Sequence, residues 1–263
     1  MMENMETPAN IRDTPLSGIP GGNGHVLAAN PESRTREASC FVLEVPEPLA
    51  YQAAWDLQRR IVAAKAGGAL GADVILMLEH PAVFTLGKRG GRENLKVNEA
   101  FLEQAGIPII HVERGGDITY HGPGQLVVYP IVDLKRAGWG VLDFVQALED
   151  IMIRVAAQWG IEAQRNSLNR GVWVGMKKLA SIGIAIRRNV SFHGIALNVN
   201  LSLDPFSWIN PCGLSGISMT SMQEHSDTAL TMDQVRASVK RHIREVLGQD
   251  LTPESLPGLM DRL

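Results

Sequence analysis

Residues 114–125 read Arg-Gly-Gly-Asp-Ile-Thr-Tyr-His-Gly-Pro-Gly-Gln. Four glycines, a proline, a histidine, a tyrosine and an arginine fall within twelve positions. Glycine lets a backbone turn sharply and lets another molecule come close to main-chain N–H groups. The polar side chains between the glycines can be aimed at whatever arrives there. The apolar run 126–132, Leu-Val-Val-Tyr-Pro-Ile-Val, follows without a break. That run predicts a buried strand that anchors a glycine-rich loop, the usual way in which a rigid scaffold presents a site.

Elements of both kinds surround this strand. Residues 40–45 and 74–78 read as strands. Residues 49–64 carry apolar side chains at Leu49, Ala53, Leu57 and Ile61 and read as a helix. Val141, Phe144, Val145, Leu148, Ile151, Met152 and Val155 share one face of a second helix. Thr231 and Gln234 form a capping box ahead of Val235, Val239, Ile243 and Val246. Three strand-like runs at 172–174, 178–187 and 191–200 lie between these last two helices and predict hairpins. The expected fold class is α/β in the α+β sense, with a mixed, largely antiparallel sheet and packed helices.

Residues 1–38 are rich in Pro, Gly, Asn, Ser and Thr, lack any period, and read as a flexible extension. From 39 to 263 no comparable linker occurs, which predicts a single catalytic domain. The net charge of -3 gives no sign of bulk nucleic-acid binding. Two cysteines are too few for a disulfide framework. The N-terminus has no apolar segment of the signal-peptide kind, so a cytoplasmic, monomeric protein is the expectation.

Cys212 lies within Asn210-Pro211-Cys212-Gly213, where a proline fixes one neighbour and a glycine frees the other. This flank suits a thiol on a tight turn beside backbone N–H groups that could hold a thiolate or an oxyanion. A buried structural cysteine fits the same flank. Cys40 opens a strand with alternating Phe41, Leu43 and Val45 and reads as packing. If 178–188 is one strand, Lys178 shares a face with Ala180, Ile182, Ile184 and Ile186, while Lys177, Ser181, Gly183, Ala185 and Arg187 face the other way. An inward lysine could act as a base or pair with a thiolate, or it could snorkel to water. A thiol titrates near ~8.5 and a lysine near ~10.4, so either protonation state of the pair could serve.

His121 is a candidate for substrate contact. His193 alternates with Ile195, Leu197 and Val199 and reads as a satisfied core histidine. His80 could line a site or cap a strand. The basic pairs Lys88-Arg89, Lys135-Arg136 and Arg187-Arg188 read as a solvated face or as steering for an acidic carrier. The sequence contains no HExxH, CxxC, GxSxG, Walker A or GxGxxG pattern, which argues against metal, nucleotide and serine-hydrolase chemistry.

The stretches 114–125, Lys-Leu-Ala-Ser-Ile-Gly at 178–183, Phe-His-Gly-Ile-Ala-Leu-Asn-Val-Asn at 192–200 and Asn-Pro-Cys-Gly at 210–213 together resemble lipoate-protein octanoyltransferases, also called lipoyl(octanoyl) transferases. Glu79-His80-Pro81 and Phe84-Thr85-Leu86-Gly87 are similar to that family's early motif. The resemblance runs from about residue 40 to about 245 and leaves the extension aside. It implies the fold of the biotin and lipoate protein ligase catalytic domains. It also implies an acyltransferase that moves an octanoyl group from octanoyl-acyl carrier protein to a lysine of a lipoyl domain, without a cofactor or metal. The acceptors would be lipoyl domains of 2-oxoacid dehydrogenase complexes and the glycine cleavage H protein. Cys212 would be the acyl-accepting nucleophile and Lys178 its partner. Arg114, Gly115, Gly116, Asp117, Ile118, Thr119, Tyr120, His121, Ser181, Ile182, Gly183, Gly194, Ile195 and Ala196 would hold the acyl substrate. The alternative is an ATP-dependent lipoate or biotin protein ligase on the same fold, which needs a lysine but no cysteine.

Overall fold

The computed structural model describes residues 39–211 and 216–263. The N-terminal extension and Cys212 lie outside the described residues. Strands β1 (Cys40–Glu44) and β2 (Asp73–Leu78) are parallel neighbours, joined by helix α1 (Tyr51–Ala66). The helix starts two residues later than its apolar period suggests: Leu49 N–H donates to Glu79 O at 2.9 Å, and Ala50, at ψ 136, still has a non-helical backbone. β3 (Val83–Leu86), α2 (Glu99–Gln104), β4 (Ile109–His111) and β5 (Ile118–His121) come next. They precede the central strand β6 (Gln125–Ile131), whose seven residues are all buried.

After α3 (Val141–Ala157) come β7 (Gly171–Val174), β8 (Lys177–Arg187) and β9 (Val190–Asn198), the predicted antiparallel hairpins. The chain finishes with β10 (Ser218–Met219), α4 (Met232–Leu247), β11 (Leu251–Pro253) and α5 (Leu256–Met260). The main sheet runs β10-β8-β9-β6-β2-β1-β11, with β7 paired to β8. Its β2–β6, β6–β9, β7–β8 and β8–β9 ladders are antiparallel, and the β1–β2, β1–β11 and β10–β8 pairs are parallel. The fold class read from the sequence is therefore the one observed.

Each face of the sheet has its own core. Phe144, Leu148, Ile151 and Val155 of α3 and Val235, Val239 and Ile243 of α4 pack on one face against Val128, Leu179, Ala180 and Leu197. The predicted capping box at Thr231 and Gln234 starts α4. Ala54, Leu57 and Ile61 of α1 cover the other face, over Val127, Tyr129, Ala185, Phe192 and Ala196. Cys40 is fully buried in the first core, as its strand pattern predicts.

The second sheet, β4-β3-β5, departs from the sequence reading. A third of the expected glycine-rich loop forms the strand β5. Ile118–His121 pairs antiparallel with β3, Val83 opposite His121 and Leu86 opposite Ile118. The Ile-Thr-Tyr triplet has the β-branched and aromatic side chains that suit a pleated surface, so only its glycine-rich flanks turn.

Candidate active site

A cavity of about 240 Å³ opens between the β8–β9 hairpin, β6 and the 114–119 segment. Small residues face one another across the hairpin at its floor, Ser181 opposite Ala196 and Gly183 opposite Gly194. The Arg114 stem and Gly115 cover the hairpin there. A Cβ on Gly183 would lie 2.8 Å from Gly115 O and 3.2 Å from Arg114 Cδ, so only glycine lets the segment lie that close. Gly115 N–H donates to Ile184 O at 3.0 Å and so docks the segment on β8.

The sequence-predicted residues fall around this space unevenly. Arg114, Gly115, Gly116, Asp117, Ile118, Thr119, His121, Ser181, Ile182, Gly183, Gly194, Ile195 and Ala196 line it, with Lys178. Tyr120 does not. It packs in the second sheet's core, with Phe84 at 5.3 Å and Phe206 at 5.5 Å between ring centroids. Along the strand Thr119 and His121 turn one way and Tyr120 the other, while Ile118, of Tyr120's parity, borders both the cavity and that core. Cys212 lies outside the described residues.

Lys178 is 1% exposed, the inward lysine that the pattern predicts, but it is not on the face predicted. Val172 pairs with Ala180 while Trp173 pairs with Lys178, which leaves Leu179 as the extra residue of a bulge. Leu179 and Ala180 both enter the α3/α4 core. The alternation slips by one, and Lys178 swings to the Ser181 side. Gly171 makes room for it. At φ +129, a Cβ there would sit 2.6 Å from Lys178 Cε and 2.4 Å from Ala180 O. Lys178 Nζ donates to Asn169 Oδ1 at 2.8 Å and lies 5.3 Å from the centre of the Trp173 ring.

The inner wall is polar and neutral. Arg114 sends one guanidinium nitrogen to Thr85 O and Oγ1, both at 2.8 Å, which fixes the loop. His121 donates from Nδ1 to Gln125 Oε1 at 2.7 Å, and its Nε2 lies 3.4 Å from Thr85 Oγ1. His80 donates from Nδ1 to Leu49 O and accepts from Tyr129 OH at Nε2, both at 2.7 Å. It therefore braces the wall from behind. Burial pushes His80 and His193 down to about 4, and desolvation holds His121 well below the usual imidazole range. Burial raises Tyr51 to about 12 and holds Tyr129 well above the usual phenol range.

His193 is not simply a satisfied core histidine. It lines the cavity in a left-handed conformation, φ 55. Its backbone N–H leaves the sheet to donate to Gln58 Oε1 at 2.8 Å. Nδ1 lies 3.4 Å from Tyr51 OH. Nε2 makes no hydrogen bond among the described residues and sits 3.6 Å from Glu113 Oε2.

Sequence reasoning also missed Tyr51, Val127, Tyr129 and Asn169, all of which line the cavity. Tyr51 belongs to a helix read only for its apolar period, and Tyr129 to a strand read as core. The basic pairs divide: Arg89 lines the cavity, whereas Arg136 is tied to Asp73 at 3.1 Å. Among the described residues no three His, Cys, Asp or Glu side chains are grouped to hold a metal ion. No helix among them is long and apolar enough to cross a membrane.

Residues 50–244 match the family described as the lipoyl protein ligase A/B catalytic domain. An octanoyltransferase of Desulfotalea psychrophila is 46% identical over 208 residues, covering 78% of this chain and 93% of that protein. One of Syntrophobacter fumaroxidans is 46% identical over 211 residues, covering 80% and 92%. This chain belongs to the octanoyltransferase family. It is accordingly an acyltransferase, and the fold agrees. A lipoate-protein ligase A bound with ATP superposes with TM-score 0.63 at 17% identity, covering 84% of this chain and 89% of that one. A bipartite lipoate protein ligase of Thermoplasma acidophilum gives TM-score 0.62 at 16% identity, covering 84% and 88%. Ligases and octanoyltransferases thus share the sheet, and the chemistry has to be argued from the site.

Proposed function

We propose that this octanoyltransferase moves an octanoyl group from octanoyl-acyl carrier protein to a lysine of lipoyl domains, through an acyl-enzyme on Cys212. The acceptors are lipoyl domains of 2-oxoacid dehydrogenase complexes and of the glycine cleavage H protein. Residues 39–263 act as one catalytic domain, in the cytoplasm and as a monomer.

The observation that carries this reading is the anchoring of both flanks of Cys212 to the wall of one cavity. On one side, Asn210 N–H donates to Asn94 O at 2.8 Å, and Asn94 Nδ2 donates to the cavity residue Asp117 at 3.0 Å. On the other, Ser218 and Met219 pair with Lys177 and Lys178, and Thr220 N–H donates to Lys178 O at 3.0 Å. Consecutive Cα atoms are only ~3.8 Å apart, so this tether supports bringing a thiol to the buried lysine.

The Cys212 thiolate attacks the carrier thioester carbonyl, and backbone N–H groups near Gly183 or Gly213 hold the oxyanion. The carrier thiolate leaves and takes a proton from the Lys178 ammonium. The neutral ε-amine of the acceptor lysine then attacks the enzyme thioester. A C–N bond forms, the C–S bond to Cys212 breaks, and the Lys178 amine takes the surplus proton. Thiolate and ammonium are restored, and the donor thioester supplies the activation that a ligase takes from ATP.

Ile118, Val127, Ile182, Ile184 and Ile195 line the space for the acyl chain. At ~0.8 kcal/mol per methylene, burying an octanoyl tail contributes several kcal/mol and favours it over short chains. Intact-protein mass spectrometry after mixing with octanoyl-acyl carrier protein tests the reading. One octanoyl adduct is expected, lost on adding a lipoyl domain and absent in Cys212→Ala. Transfer that survives in Cys212→Ala, or that requires ATP, refutes it.

A further inference from the structure

Among the described residues, Lys178 meets the side chains of Asn169 and Trp173. Its Nζ lies 2.8 Å from the Asn169 side chain, and because a lysine only donates, the facing atom is the amide oxygen Oδ1. The indole of Trp173 faces the same nitrogen at 5.3 Å, and its Nε1 donates to Asn169 O at 3.2 Å, so the ring also holds the Asn169 backbone. An amide oxygen and an indole face are both partners that attract a cation.

The turn that carries Asn169 is pinned from α3. Glu149 is 1% exposed, and its Oε1 accepts from Gly171 N–H at 2.9 Å. Its Oε2 accepts from Arg165 Nε at 2.9 Å, and Arg165 also donates to Gln146 O at 2.8 Å. A buried carboxylate with these bonds leaves the turn little freedom. The chain of contacts runs from a rigid helix, through Gly171 and Asn169, to the amine at the cavity.

We propose that Asn169 is a positioning residue for acyl transfer: its amide oxygen holds the Lys178 nitrogen where its charge acts on Cys212, and Glu149 fixes the turn that places Asn169. This rests on the Cys212–Lys178 reading above. In this role Asn169 acts through the lysine that its amide oxygen holds. Its neutrality matters as much as its reach, because a carboxylate at the same place would pair with the ammonium and cancel its field at the sulfur.

The test is the pH dependence of Cys212 alkylation by iodoacetamide, read by peptide mass spectrometry in the full chain. The other cysteine, Cys40, is fully buried and does not compete. Lys178→Ala is expected to move the titration up toward the free-thiol value of ~8.5. Asn169→Ala and the isosteric Asn169→Asp are both expected to move it the same way, with alkylation at neutral pH slowed by about fivefold or more. Octanoyl transfer falls in kcat, with the KM for octanoyl-acyl carrier protein little changed. Asn169→Asp should melt at the wild-type temperature, so a purely structural role for the turn does not mimic this pattern. Wild-type titration in both Asn169 variants, alongside a shifted Lys178→Ala, overturns the positioning role alone. An unshifted Lys178→Ala, or a wild-type enzyme that forms no octanoyl adduct, overturns the underlying reading and this proposal with it.

Discussion

The wall behind the cavity should make this protein unstable in mild acid. His80 and His193 are buried neutral, and burial lowers both from 6.5 to about 4. In the unfolded chain both protonate as pH falls through ~6.5, whereas in the folded protein they stay neutral until about 4. The unfolded state therefore binds more protons across this window, and stability falls as pH falls. It levels off only below the folded values. At about pH 5 each histidine contributes a loss of ~2 kcal/mol, or ~4 kcal/mol for the pair, out of a total stability of about 5–15 kcal/mol for a typical domain. His121 is held low by the same burial and adds to the loss. Glu113 and Arg114 face His193 and oppose each other, the carboxylate favouring its protonation and the guanidinium disfavouring it. Urea unfolding followed by circular dichroism at about pH 7 and about pH 5 measures the difference above the range where ordinary carboxylates titrate. The control is His80→Asn with His193→Asn, since asparagine retains a donor near the Nδ1 position and tolerates the left-handed backbone at 193. This variant is less stable at pH 7 but should lose most of the pH dependence. A wild-type difference under ~1 kcal/mol, or an equal difference in the double variant, refutes the reasoning.

Gly171→Ala should lower the melting temperature, because its Cβ would meet Ala180 O at 2.4 Å and Lys178 Cε at 2.6 Å at φ +129. Any folded fraction should turn over about a hundredfold more slowly, the cost of shifting a reacting group by ~1 Å, as read by single-turnover octanoyl transfer. Arg114→Lys puts a single point charge in place of a guanidinium that reaches Thr85 O and Oγ1 with one nitrogen and Gly115 O with another. It should cost ~1–3 kcal/mol in denaturant titration and raise the KM for the acyl donor more than it lowers kcat. Asp73→Asn leaves the buried Lys65, 2.7 Å away, without its counter-charge. A loss of ~3–5 kcal/mol in chemical denaturation is expected, with kcat unchanged in the folded protein.

The main sheet was legible in the sequence because its elements carry strong periods. The α3 face, the Thr231 capping box and the three hairpin strands all appear where the pattern puts them. The second sheet was not legible, because β4 and β5 are only three and four residues long, too short for a period to emerge. At the site, the family resemblance, not spacing, singled out the 114–119, 181–183 and 194–196 segments, which do line one cavity. The orientation of Lys178 escaped the spacing, since a bulge is a mismatch between two strands and leaves no mark on either alone. Asn169 and Tyr51 escaped for another reason. Each reaches the cavity from an element whose own pattern speaks only of turn or helix, and their roles exist only in the tertiary contact.

The three histidines raise an apparent contradiction, since an apolar acyl chain is proposed for a cavity walled by imidazoles and phenols. The hydrogen bonds and the titration resolve it. His80 is satisfied by Leu49 O and Tyr129 OH, and His121 by Gln125, so their polar atoms are largely engaged with one another. The chain would meet the rings of Tyr51 and His121, stacked at 5.7 Å, with His80 behind them 4.9 Å from Tyr51, and the imidazole atom left without a hydrogen bond among the described residues is His193 Nε2. Desolvation keeps all three imidazoles uncharged at neutral pH, so the wall is polar in composition but neutral in field. Formal charge is left to Arg114, whose guanidinium is engaged with Thr85, and to Lys178, Asp117, Arg89 and Arg170 elsewhere around the cavity. That division suits a substrate with one reactive polar end and one inert tail. It also ties stability to selectivity, because acid that charges the wall would remove the neutral surface against which the tail is meant to lie.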